Sequence, residues 1–113
     1  MKYRFESIKF ENNKIKINGF AVGSHPEDKL IYSYLVNQKP AEIECIQLVR
    51  NDVSNKYFRK TYSNTYGFSA SFQYYPNAKF IINAGNEKKS FTINHAFITF
   101  VSLGILIWNS KQV

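Results

Sequence analysis

GFSASFQYY, residues 67–75, alternates without a break: Phe68, Ala70, Phe72 and Tyr74 fall on one side of an extended chain, and Ser69, Ser71 and Gln73 on the other. Side chains of a β-strand point alternately to opposite faces, so this pattern marks a strand with one face in a core. The same period recurs upstream. In KIKINGFAV, Lys14–Val22, the residues Ile15, Ile17, Gly19 and Ala21 share a face. YRFESIKF, Tyr3–Phe10, precedes it across the turn residues ENN.

Between these blocks, GSHPED (residues 23–28) breaks the chain with Gly23 and Pro26, and KLIYSYLVN (Lys29–Asn37) and AEIECIQLVR (Ala41–Arg50) flank QKP at hairpin-like spacing. Downstream come KFIINA, the turn residues GNEKK and then SFTINHAF, which would place His95 on a strand. The final apolar run, AFITFVSLGILIW from Ala96 to Trp108, would span roughly 20 Å as a helix, against about 30 Å of bilayer hydrocarbon. Its β-branched and aromatic residues predict two buried strands meeting at a bend at Gly104, with no transmembrane span. A strip this apolar leaves open peripheral contact with a membrane. No segment sustains an apolar period near 3.6. About seven to nine short strands in one domain, residues 1–113, predict an all-β fold: a single immunoglobulin-like antiparallel β-sandwich.

Composition agrees. Phe (10) and Tyr (8) supply nearly all the aromatics, and flat rings suit a pleated, half-buried surface. The net charge is +7, concentrated from Arg50 onward, where eight Lys or Arg face two acidic residues. Such a field draws anionic partners, and a basic single-stranded nucleic-acid-binding barrel is one alternative. Scattered cations and too many strands for a five-stranded barrel disfavour nucleic acid. Cys45 is the sole cysteine, so no internal disulfide forms, and its neighbours in EIECIQL make it a small core residue. The N-terminus alternates in polarity and has no secretory pattern, so a cytoplasmic location is expected, with membrane association left open.

Catalytic motifs are missing: there is no Gly-rich phosphate loop, metalloprotease helix or nucleophile elbow. His25, His95 and Cys45 have no metal-ligand spacing, and Glu27-Asp28 sits in a turn where acids serve local hydrogen bonding. No catalytic residue, metal or cofactor is expected. The segment from Arg50 to Phe68 has two readings. Its ends look like framework: Asp52 caps a helical turn over residues 53–58, Val53 plugs the core edge, and Gly67 bends the backbone before Phe68. Arg50 pairs with Asp52 or ties down a neighbouring loop. Between those anchors, Tyr57, Arg59, Tyr62 and Tyr66, with Tyr74 beyond, mix flat rings, hydroxyls and a cation, the chemistry that holds sugars or bases.

Gly19-Phe20-Ala21, then Arg50-x-Asp52-Val53, then Gly67-Phe68 after a variable spacer resemble an accessory β-sandwich domain. That domain accompanies bacterial glycosyltransferases of the rhamnan-synthesis and family 2 types, which make cell-surface polysaccharides. The resemblance spans roughly residues 3 to 84, with Phe20 where the family carries Trp, filling the same core pocket. It implies a non-catalytic module that binds a cell-surface glycan acceptor or positions the transferase catalytic domain. The alternatives are a structural, protein-interacting or homo-oligomeric sandwich, and the nucleic-acid barrel.

Overall fold

The computed structural model describes residues 1–104. Two four-stranded antiparallel sheets pack face to face. The first contains β1 (Lys2–Glu11), β2 (Lys14–Val22), β6 (Gly67–Gln73) and β5 (Glu44–Leu48), in the order β1-β2-β6-β5. The second contains β3 (Leu30–Val36), the two-residue β4 (Lys39–Pro40), β7 (Ala78–Ala84) and β8 (Glu87–Ile93), in the order β4-β3-β7-β8. Strands 1, 2, 6 and 5 against 3, 7 and 8, with a short extra strand beside β3, is an immunoglobulin-like arrangement. Eight strands in two open sheets also exclude the five-stranded barrel alternative.

The alternation in residues 67–75 orients the first sheet. Phe68, Ala70 and Phe72 are buried while Ser69 and Ser71 look outward, and β2 pairs with β6 so that Ile15 lies opposite Phe72 and Ile17 opposite Ala70. The core is aromatic. Tyr34 stacks on Phe72 with ring centres 4.1 Å apart, and Phe5 meets Phe68, Phe80, Phe91 and Phe97. Such contacts add to the burial of large apolar surfaces. The Tyr32 hydroxyl is the one buried side-chain polar atom without a hydrogen-bond partner among the described residues. Cys45 is half-buried at the core margin, and burial pushes its thiol up to about 11.

Two helices complete the fold among the described residues. α1 (Asn51–Phe58) fills the corner before β6, and α2 (His95–Ser102) closes the open side between β1 and β8, inserting Phe97 5.7 Å from Phe5. α2 corrects the expected strand at His95 and the first half of the expected strand pair over Ala96–Trp108. Asn94 is its N-cap: its Oδ1 accepts a hydrogen bond from the Phe97 amide at 2.8 Å, which stabilises a helical turn. Phe97 and Val101, four residues apart, then share the buried face. The second half of that expectation lies outside the described residues. No helix among the described residues is long and apolar enough to cross a membrane.

The sheet edges differ in character. β1 carries exposed Lys2, Arg4 and Lys9, β8 carries Lys88 and Lys89, and β4 is a two-residue stub ending in proline. Charge, brevity and proline all discourage another strand from pairing there. β5 has no proline and a single charge, Glu44 at its start, and its Ile46 is 65% exposed, with Leu48 and Val49 exposed beside it.

Candidate functional site

Three motif fragments, far apart in sequence, meet at one corner through Arg50. Its Nη1 and Nη2 donate to the Glu6 carboxylate at 2.8 and 3.1 Å, and its Nε and Nη2 donate to Asp52 at 2.9 and 2.8 Å. The guanidinium also lies 5.7 Å from the centre of the Phe20 ring. Its aliphatic stem crosses Gly67, where an added Cβ would come within 2.6 Å of Arg50 Cγ. Donating hydrogen bonds to Asp52 and Glu6 holds the guanidinium protonated, and accepting them from Arg50 lowers the Asp52 carboxyl to about 2. With every edge of the fork engaged by carboxylates, this corner is a clasp.

Several expectations are corrected in detail. Asp52 does not cap α1: Arg50 occupies the cap position with extended backbone, no side chain caps the helix, and Asp52 sits in the first turn bonded to Arg50. Gly67 is not a bend but a regular position of β6, small so that Arg50 can cross it. Phe20 is buried on the opposite side of β2 from Ile15 and Ile17, covered by the Arg50 guanidinium and by Tyr57 at 5.8 Å. Val53 is buried as expected.

The expected ligand residues divide into two groups. Tyr66 is fully enclosed, its hydroxyl donating to the Pro26 carbonyl at 2.7 Å. Tyr74 is buried between Phe10 and His95. Neither faces outward. Tyr57 and Tyr62 are half-buried and Arg59 is exposed, with left-handed backbone at the end of α1. These three stand at one end of the sandwich.

Residues 59–66 are fixed there by buried polar bonds. Ser54, fully enclosed, donates to the Lys60 carbonyl at 2.6 Å and accepts from the Tyr62 amide at 2.8 Å. The Asn64 amide nitrogen donates to the carbonyls of Pro26 and Asp28, both at 2.9 Å. Segment 57–64 is thereby held against loop 23–28, and two hollows open between them. One, about 320 Å³, is lined by Lys2, Val22, Ser24, Tyr57 and Phe58. The other, about 530 Å³, is lined by His25, Pro26, Glu27, Tyr62, Ser63 and Asn64. Phe58 and Tyr62, ring centres 5.8 Å apart, form a ridge connecting the two linings. The Lys56 ammonium lies 5.4 Å from the Tyr57 ring centre and that of Lys60 lies 5.7 Å from Tyr62, so one tyrosine of each lining has a lysine beside its ring.

The neighbouring loop was not legible as part of the site: Ser24 and Asn64 carry no motif, and only the fold brings them together. No group of three His, Cys, Asp or Glu side chains among the described residues could hold a metal ion. No protein-family model, curated protein or solved structure matches the chain.

Proposed function

We propose that this sandwich is a non-catalytic accessory module of a cell-surface polysaccharide glycosyltransferase system, working in the cytoplasm beside the enzyme and holding its glycan acceptor in the trough between residues 57–64 and loop 23–28. One observation carries this reading: a ready-made trough brings tyrosine side chains and a serine hydroxyl together, with lysines beside the rings. Glycans are bound by convergent hydrogen-bonding groups set among apolar ring edges. The meeting of Phe20, Arg50, Asp52 and Gly67 at one clasp supports the resemblance, since the three fragments serve a single structural purpose. NMR titration with cell-surface glycans tests the proposal. Shifts confined to Tyr57, Tyr62, Ser24 and Asn64 are expected, and their absence with every glycan tried removes the acceptor-binding role.

A second reading rests on β5. Its edge, apolar beyond Glu44, suits a sandwich that adds a strand from another protein, and this fits a positioning module as well as a binding one. Light scattering over a range of concentrations, alone and with the transferase domain, checks it. A monomer in both settings, at every concentration, would end it.

A further inference from the structure

The cations around the trough are not neutralised by the protein. Ion pairs among the described residues engage the Met1 amine, Lys9, Lys14, His25 and Arg50, but none involves Lys2, Lys56, Arg59 or Lys60. The nearby acids are largely committed elsewhere. Asp52 belongs to Arg50, and Asp28 is drawn inward to the His25 amide at 3.0 Å. Glu87 accepts from Ser24 at 2.7 Å and pairs with the Met1 amine. Glu27, on the second hollow, is the remaining carboxylate of the trough. We infer that the trough is specific for an anionic glycan, one whose repeat carries a phosphodiester or a carboxylate. The charged group would sit over the first hollow, near Lys2 and Lys56, and the sugar hydroxyls would meet Ser24 and the tyrosines.

This rests on the glycan-binding reading and sharpens it to a ligand class. Single-stranded nucleic acid is also a polyanion, but it needs free ring faces for its bases. Here Tyr57 leans on Phe20 and has Lys56 beside it, while Tyr62 meets Phe58 edge-on and has Lys60 beside it. What these rings offer is edge and hydroxyl more than face.

The test titrates the protein with polyglycerol phosphate, polygalacturonate, a neutral rhamnan and a single-stranded oligonucleotide of matched charge. The inference expects one of the two anionic glycans to bind at least about tenfold tighter than the neutral one, weakening as salt rises. Which of them binds separates phosphodiester from carboxylate. Lys56→Glu with Lys60→Glu should lower that affinity about tenfold or more. Lys88→Glu with Lys89→Glu on β8 changes net charge equally and should leave it within about twofold if the site is local. Binding of the neutral glycan with equal affinity and no salt dependence overturns the inference and leaves the glycan-binding function standing. Oligonucleotide binding as tight as the glycan, or equal losses from the two charge-reversed pairs, reduces the trough to general attraction of polyanions and also overturns it. Failure to bind any glycan removes both.

Discussion

Arg50 and Glu6, 44 positions apart, are joined by a two-pronged hydrogen bond of 2.8 and 3.1 Å that ties the start of α1 to the middle of β1. Asp52 completes the clasp, and Gly67 leaves the space through which the arginine stem passes. Arg50→Ala leaves two carboxylates facing each other and uncovers Phe20, so a loss of about 1–3 kcal/mol is expected by urea denaturation. Arg50→Lys should recover only part of it, because an ammonium cannot reproduce the fork. Gly67→Ala should also destabilise, yet far less once Arg50 is already alanine. A double-mutant cycle should give a coupling of at least about 0.5 kcal/mol, and strict additivity would contradict the clasp.

The pH dependence of the pair has a definite sign. Asp52 titrates at about 2 in the folded protein, below its ordinary value of about 3.9. Its contribution is therefore complete above about pH 4 and lost as pH falls toward the folded value. Asp52→Asn should flatten that part of the acid-unfolding curve while leaving stability between pH 6 and 8 less affected than Arg50→Ala does. An unchanged acid limb would show that the carboxylate carries no linkage.

Ser54→Ala removes one buried hydroxyl and strands two backbone groups, the Lys60 carbonyl and the Tyr62 amide. The expected cost is about 1–3 kcal/mol. Hydrogen exchange should rise at Tyr62 and its neighbours before it rises in β6. Protection that falls uniformly would mean the serine acts on the whole fold and not on this loop.

Tyr32→Phe should stabilise the protein. The hydroxyl is buried without a partner, and burial raises its pKa, so it contributes desolvation cost without a compensating bond. A gain of about 1 kcal/mol, seen as a higher denaturation midpoint with the same slope, is expected. A loss would mean the oxygen has a bonding role.

Phe97→Ala opens the side that α2 closes, removing a ring that touches Phe5 and Phe91. A loss of about 3–5 kcal/mol is expected, enough to unfold a protein of ordinary stability at moderate temperature. Circular dichroism melts of Phe97→Ala and Phe97→Leu, the second losing less, provide the check.

The strands were legible because alternation is a local signal. Ser69 and Ser71 against Phe68, Ala70 and Phe72 can be read without knowing what lies across the sheet. α2 was missed because its period is carried by so few residues: Phe97 and Val101 face inward, while Phe100 and Leu103 between and after them are exposed. Asn94, as a cap, was the available sign. The clasp was half legible. The pairing of Arg50 with Asp52 follows from their spacing, but Glu6 and Gly67 join only through the fold. Likewise, nothing local marks Tyr66 as enclosed and Tyr62 as half-open, since both sit among polar neighbours.

The bonds that hold residues 59–66 in place have a consequence for redesign. Ser54, Asn64 and Tyr66 grip main-chain atoms: the carbonyls of Lys60, Pro26 and Asp28, and the Tyr62 amide. Main-chain carbonyls belong to every amino acid, so the grip is indifferent to the side chains displayed at Lys60, Thr61 and Ser63. Proline is forbidden at Tyr62, for want of its N–H, and at Arg59, whose amide donates to the Asn55 carbonyl from left-handed backbone. This end of the sandwich is therefore a socket whose lettering can be rewritten, by evolution or by library selection, while the frame beneath keeps its shape.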